Sequence, residues 1–129
     1  MVCKTISIVI QCPPARVYEF AHDPENLPKW ASAFCLSVRQ SDSGWIIETP
    51  QGPVGIRFAA KNEFGVLDHW VTPASGVEIY VPMRVVSNGN GSEVIFTLIQ
   101  SPDMSDAAFA ADATMVEQDL GTLKRVLEK

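Results

Sequence analysis

The residue of this chain best suited to chemistry is His69, one of only two histidines. It lies in a stretch that alternates as a strand does, with Leu67 and Val71 on its own face and Asp68 on the other. Because the face with His69 is mainly apolar, we expect His69 to point inward. There it could act as an acid or base, or bond to a ligand carbonyl or hydroxyl. The alternative is a core histidine bonded to backbone or to a neighbour. Asp68 is not expected to orient it.

Large aromatic and sulfur-containing side chains are the second chemical feature of the chain. Such side chains line apolar ligand pockets, and they also simply fill cores. Glu48 is a further candidate acid, on a strand whose inward face is ambiguous. If Trp45 and Thr49 face inward, Glu48 is exposed to solvent and has no part in a site.

The sequence gives little support for a disulfide, a metal site or a phosphate-binding loop. Three cysteines cannot all pair, and Cys3 and Cys12, on one predicted strand, would lie roughly 30 Å apart. Each cysteine, Cys35 included, therefore reads as a buried apolar residue. His22 and His69 have no partners at metal-ligand spacing, so we expect no metal. No glycine-rich phosphate loop joins a strand to a helix, and no cofactor is predicted.

Charge and hydropathy narrow the choice of partners. The formal net charge is −5, and the basic residues are scattered, which argues against nucleic acid and anionic membrane surfaces. No apolar stretch approaches the length of a membrane span, and the N-terminus does not resemble a signal peptide. We therefore expect a cytoplasmic protein with a small-molecule partner. A homo-oligomer is left open.

Strand-like segments separated by short turns dominate the chain from Phe34 to Gln100. With a first strand at Thr5–Gln11 they give seven strands, joined closely enough to be antiparallel neighbours. Pro82 interrupts the apparently longest strand and implies a bulge or an edge there. Two short helices are predicted after the first strand, at Pro14–Ala21 and Pro24–Trp30. The six later strands are predicted at Phe34–Gln40, Trp45–Thr49, Val54–Asn62, Val66–Thr72, Val77–Val86 and Glu93–Gln100.

A long amphipathic helix at Ser105–Leu127 closes the chain. Its apolar residues recur at steps of three and four, so they form one stripe that has to pack on the sheet. The chain is predicted to be one α+β domain over residues 1–129, a seven-stranded antiparallel sheet curved around this helix. Such an arrangement tends to enclose a cavity. The ligand-binding residues we predict are Trp30, Phe58, Leu67, His69, Met83, Val116 and Leu120, with His69 also the candidate catalytic group.

Three segments resemble the START-like (SRPBCC) superfamily of helix-grip proteins. PPARVYEFAHDPENLPKW (Pro13–Trp30) resembles its opening, and MSDAAFAADATMVEQDLGTLKRVLE (Met104–Glu128) its closing helix. GVLDHWVTP (Gly65–Pro73) and VPMRVVSNGNGSEVIFTL (Val81–Leu98) resemble a bacterial branch described as polyketide cyclase/dehydrase-like. The resemblance covers the whole chain and implies the helix-grip fold, with Trp30 near a cavity mouth. It implies no single activity, because the superfamily has no universal catalytic motif.

Three functions remain open. The favoured one is binding of a small hydrophobic or aromatic molecule, which needs only shape and one or two polar anchors. The second is an enzyme of the cyclase or dehydrase kind, with His69 as acid or base. It is disfavoured because no carboxylate partner is evident on the same face. The third is a protein-interaction module, similar to a co-chaperone, which would need an exposed apolar patch. The outer face we infer, with Arg57, Lys61, Asp68 and Glu78, is polar.

Overall fold

The computed structural model describes all residues from Met1 to Lys129. Eight strands, three α-helices and one 3-10 turn follow one another along the chain. Their bounds are β1 Cys3–Ile10, α1 Pro14–His22, the 3-10 turn Pro24–Asn26, α2 Leu27–Trp30, β2 Ser37–Ser41, β3 Gly44–Thr49, β4 Gly52–Phe58, β5 His69–Thr72, β6 Ile79–Val81, β7 Met83–Asn88, β8 Gly91–Ile99 and α3 Asp106–Leu127.

The strands form two antiparallel sheets. One has the order β1-β8-β7 and the other the order β2-β3-β4-β5-β6. A single bridge between Val66 and Arg84 links the segment before β5 to β7. The α+β class, the antiparallel pairing and the long closing helix were all predicted, and they are confirmed.

The strand count differs from the prediction of seven, and Pro82 is the reason. The predicted strand Val77–Val86 is split into β6, which pairs with β5, and β7, which pairs with β8. Proline has no N–H to give to a ladder, so regular pairing stops there and the chain passes from one sheet to the other. The Pro82 carbonyl still accepts a hydrogen bond from Thr97 N at 3.0 Å.

Two predicted strands also begin later than expected. β2 starts at Ser37, since the amides of Phe34 and Cys35 both turn back to the Ala31 carbonyl, at 3.1 and 2.7 Å. β5 starts at His69, because Leu67 N donates to Met83 O at 2.9 Å and so pairs with β7. The first residues of β2 and β5 are thus set by backbone hydrogen bonds, which the alternation of side chains does not reveal.

The closing helix begins one residue later than predicted. Ser105 is its N-cap, and the Ser105 hydroxyl accepts a hydrogen bond from Ala108 N at 3.1 Å. Its C-terminal end is anchored to the end of β1, where Lys124 Nζ donates to Val9 O and Glu128 Oε2 accepts from Gln11 N, both at 2.7 Å. The residues of α3 buried against the rest of the molecule are Ala113, Asp119, Leu120, Leu123 and Leu127.

The first part of the chain supplies the second wall of the core. Asp23 accepts a hydrogen bond from Glu25 N at 3.0 Å and starts the 3-10 turn that leads into α2. Helix α2 packs on α3, and α1 packs on β7 and β8. Trp30 and Leu120 both lie in the hydrophobic core cluster. None of the helices combines the length and the apolar character of a membrane span.

Candidate functional site

A cavity of about 490 Å³ lies between α3, α2 and the inner face of the strands. Of its 28 lining residues, 20 are hydrophobic, so a ligand would meet mostly apolar surface. Its volume falls in the range of small-molecule sites. The strands that contribute most are β4, β6 and β8, and β5 adds His69 and Val71. The α3 residues that face the cavity are Phe109, Asp112, Met115, Val116, Asp119 and Leu120.

Five of the seven residues predicted to bind a ligand line this cavity. They are Trp30, Phe58, His69, Val116 and Leu120. Leu67 and Met83 do not line it. Both are buried in the core, with 0% and 1% of their surface exposed. The Leu67 N–H donates to the Met83 carbonyl, which holds the segment before β5 against β7.

His69 faces the cavity as an uncharged ring. Its Nδ1 lies 3.0 Å from the Leu67 carbonyl, which can only accept, so Nδ1 carries the proton and Nε2 is left as an acceptor. The ring packs between Phe58 and Phe96, with centroid distances of 5.0 and 5.8 Å. Burial lowers the His69 pKa to about 4, although the Leu67 carbonyl and the Asp68 charge oppose the shift.

Asp119 is the cavity residue that sequence reasoning missed. It sits on the buried face of α3, only 6% exposed, and its Oδ1 accepts a hydrogen bond from Ala33 N at 2.9 Å. Burial raises its pKa to about 6, while the amides of Ala33 and Phe34 work in the opposite direction. The signal was present in the sequence, because Asp119 follows Val116 by three residues and precedes Leu123 by four. It is therefore a carboxyl group on the apolar stripe.

A second carboxyl group, Asp112, faces the same cavity two turns earlier on α3. It is half-buried, and the desolvation raises its pKa above the ordinary aspartate value. The sequence suggested no carboxylate on the same strand face as His69. In the structure the carboxyl groups of Asp112 and Asp119 line the same cavity as His69, because α3 supplies both of them.

Trp30 contributes an unsatisfied hydrogen-bond donor. Its side chain is 4% exposed, it lines the cavity, and its Nε1 is a buried polar atom with no partner. An indole N–H can only donate, and a buried donor without an acceptor costs about 1–3 kcal/mol. Trp30 ends α2, three residues before the Ala33 amide that binds Asp119. Helix α2, which ends at Trp30, packs on α3, which carries Asp119.

Asp68 was expected on the polar outer face and lies instead almost buried, 8% exposed. It accepts hydrogen bonds from the Tyr80 hydroxyl at 2.8 Å and from Met83 N at 2.9 Å, and it pairs with Arg84. Burial alone would raise its pKa, but these partners outweigh it and lower the Asp68 pKa. None of these bonds involves the His69 ring. Arg57 with Glu78, and Lys61 with Glu19, are exposed ion pairs.

The remaining nucleophiles and metal ligands form no centre. Cys35 is buried and its Sγ donates to the Ser37 carbonyl at 3.4 Å, while burial and the Asp119 charge raise the thiol pKa to about 11. A thiol of that kind stays protonated and unreactive at neutral pH. No three His, Cys, Asp or Glu side chains come together as a potential metal site. Glu48 is half-buried on β3 and does not line the cavity, whereas Thr49 does.

No family model and no curated protein sequence matches this chain. Solved structures do match it. The Aha1 dimer from Colwellia psychrerythraea aligns with a TM-score of 0.77 at 19% identity, over 99% of this chain and 97% of that one. A START superfamily protein from Mycobacterium smegmatis aligns with a TM-score of 0.70 at 10% identity, over 98% and 97%. DynU16, from the dynemicin biosynthetic locus, aligns with a TM-score of 0.74 at 15% identity, over 98% and 47%. At these identities the likeness shows the fold, which is the START-like helix-grip fold.

Proposed function

We propose that the protein binds a small hydrophobic or aromatic molecule in the cavity between the sheet and α3. The observation that carries this proposal is the cavity of about 490 Å³ with its mainly apolar lining. A solidly packed protein of this size would have no such space. The START superfamily protein among its structural neighbours supports the same class of function.

The energetics of an apolar cavity suit a molecule of modest size. Each methylene group that leaves water contributes about 0.8 kcal/mol, so ten buried carbons supply roughly the 8 kcal/mol of micromolar binding, before association entropy is counted. His69 Nε2 and the Asp119 carboxyl group then need only orient the ligand. Because His69 is uncharged at neutral pH, it adds an acceptor without a second buried charge.

Native mass spectrometry of the purified protein tests this proposal. We expect a species heavier than the polypeptide by a few hundred daltons, and we expect the extra mass to dissociate on denaturation. If none is retained, incubation with a panel of neutral apolar compounds should load the cavity at one molecule per chain. A protein that retains and takes up nothing from such a panel would refute the proposal.

A cyclase- or dehydrase-like enzyme is the second candidate function. It is favoured by the presence of His69 and of the carboxyl groups of Asp112 and Asp119 in one cavity, which supplies the acid and base that such chemistry requires. DynU16 comes from a biosynthetic locus, which agrees with this candidate. With the ligand known, His69→Ala separates the two functions. An enzyme would lose turnover by about a hundredfold or more, whereas a carrier would lose about 1 kcal/mol of affinity.

A further inference from the structure

The charged side chains that line the cavity are all of one sign. Among its 28 lining residues there is no lysine and no arginine, whereas Asp112 and Asp119 on α3 both line it. Neither carboxyl group takes part in an ion pair with another residue of the chain. The formal net charge of the whole protein is −5, so no general excess of positive charge offsets them. The wall that α3 gives to the cavity is therefore electronegative when the two groups are ionised.

The histidine in the cavity adds an acceptor. His69 is 7% exposed, its Nδ1 proton is held by the Leu67 carbonyl, and its Nε2 is left to accept. Of the buried side-chain nitrogen and oxygen atoms without a hydrogen bond, Trp30 Nε1 alone has almost no accessible surface. His69 Nε2 therefore keeps surface that opens on the cavity, whereas the Trp30 donor is shielded from it.

The other polar side chains of the lining do not change this balance. The Thr49 hydroxyl donates to a backbone carbonyl at 2.7 Å, and the Tyr80 hydroxyl donates to Asp68 at 2.8 Å, so both protons are already engaged. Gln51 and Ser75 are exposed, and water can satisfy them. A ligand in the enclosed part of the cavity thus meets hydrogen-bond acceptors and negative charge.

Polar ligand groups of different charge respond differently to such a lining. A carboxylate has no proton to donate and brings a further negative charge into an apolar space, so both hydrogen bonding and charge oppose it. A neutral hydroxyl group can donate, but it compensates no charge. A protonated amine supplies N–H donors and a positive charge. It need not contact both carboxylates to gain from them, because Coulomb interactions are strong where water is excluded.

We propose that the cavity selects a hydrophobic amine, a molecule with an apolar or aromatic body and one protonated amino group whose charge is compensated by Asp112 and Asp119. The rings of Phe34, Phe58 and Phe96 in the lining suit such a molecule, because aromatic faces attract cations and aromatic rings pack against the apolar body. A bound cation also offsets the cost of ionising Asp119 in its buried position. This inference rests on the proposed function, since it names the chemical class of ligand that the same cavity takes.

Calorimetric titrations with three naphthalenes of nearly equal size test this selection. The compounds are 1-naphthylmethylamine, 1-naphthalenemethanol and 1-naphthoic acid, which at pH 8 are a cation, a neutral molecule and an anion. Asp119, with a pKa of about 6, is ionised at that pH. The wild-type protein should bind the amine at least tenfold more tightly than the alcohol, and the acid at least tenfold more weakly, because each step changes the ligand by one unit of charge.

Asparagine variants show whether the two aspartates cause the preference, since Asn keeps the shape of the side chain and removes its charge. Asp112→Asn and Asp119→Asn should each lower the preference for the amine over the alcohol severalfold. The double variant should bring the two affinities within about threefold of each other. Asp103→Asn is the matched control and should keep the full preference, because it removes the same charge from an exposed position in the loop before α3.

The outcomes separate this inference from the proposed function. Equal wild-type affinities for the amine and the alcohol, or tighter binding of the acid, would overturn the inference and leave the apolar cavity standing. A preference that survives in the double variant, or that Asp103→Asn reduces as much as Asp119→Asn does, would overturn it too. Binding of none of the three compounds would count against the proposed function itself. Thermal melting shows whether each variant is folded, and the wild-type series needs no variant.

Discussion

The ionised Asp119 side chain costs free energy of folding because it is buried. A carboxyl group on the buried face of α3 loses its water, and one hydrogen bond from Ala33 N does not restore it. The folded protein therefore holds the Asp119 proton more tightly than the unfolded chain does. Buried groups with raised pKa values cluster at functional sites, and this one faces the cavity.

The sign of the linkage gives a stability prediction for Asp119→Asn. The Asp119 pKa is about 6 in the folded state, against 3.8 for an unperturbed aspartate, so its ionisation destabilises the fold increasingly between pH 4 and pH 6. Asn can still accept from Ala33 N and carries no charge. We expect Asp119→Asn to be up to roughly 3 kcal/mol more stable than wild type at pH 8. That gain should disappear below pH 4, as measured by urea unfolding.

Asp103→Asn is the control for this measurement, since Asp103 is exposed in the loop before α3. Because the Asp103 side chain is exposed, this substitution should change the free energy of unfolding by less than about 0.5 kcal/mol. If Asp119→Asn behaved as Asp103→Asn does, the Asp119 carboxyl group would not be desolvated as described.

His69 gives a second prediction at the scale of the residue. Burial holds its pKa near 4, and its Nδ1 proton is engaged by the Leu67 carbonyl. We expect nitrogen chemical shifts of the His69 ring to show a neutral imidazole protonated at Nδ1 throughout the range from pH 5 to pH 8. A titration midpoint between pH 6 and pH 7 would mean that the ring is solvated and not enclosed by Phe58 and Phe96.

At the scale of the elements, the turn before β5 determines where His69 points. Gly65 has a φ of +70°, and a Cβ there would overlap the carbonyl oxygen of Val85. The Gly65 carbonyl accepts from Val85 N at 2.9 Å, so this close approach joins the segment that leads to β5 to β7. Glycine is required at this position both by backbone conformation and by space.

Comparing Gly65→Ala with Gly76→Ala isolates the cost in stability of the steric overlap between a Cβ at residue 65 and Val85. Both glycines have positive φ, but a Cβ at Gly76, where φ is +82°, meets nothing within 4 Å. We expect Gly76→Ala to cost about 1 kcal/mol, from the left-handed conformation alone. Gly65→Ala should cost at least about 2 kcal/mol more in the free energy of unfolding, because the backbone has to move. Equal costs would mean that the segments do not approach so closely.

Periodicity predicted the elements well where side chains alone decide them. The stripe of α3 and the alternation around His69 are properties of side chains, and they correctly indicated the helix and the cavity-facing histidine. The features that periodicity did not predict depend on backbone hydrogen bonds. The chain changes sheets at Pro82, and the segment before β5 pairs with β7 through the bond from Leu67 N to Met83 O. Asp119 was missed because the stripe was read for its apolar members only.

At the scale of the whole molecule, the helix-grip fold explains the cavity but not its occupant. Structures with 10–19% identity align over nearly the entire chain, which shows how strongly this architecture persists while side chains change. What distinguishes this chain is its own cavity lining, with His69, Asp112, Asp119 and Trp30 among apolar walls. Exclusion of nucleic acid stays a prediction from the net charge of −5, and a mobility-shift assay at low salt would check it.

The central claim is that the space between the sheet and α3 receives a ligand. A fluorescence titration with the neutral probe N-phenyl-1-naphthylamine tests it most directly, in the wild type, in Val54→Trp and in Val9→Trp. Val54 lines the cavity on β4, and Val9 is an exposed residue on β1. The account predicts saturable binding of one probe per chain for the wild type and for Val9→Trp, and at least tenfold weaker binding for folded Val54→Trp. Equal binding by the two variants, or none by the wild type, would contradict it.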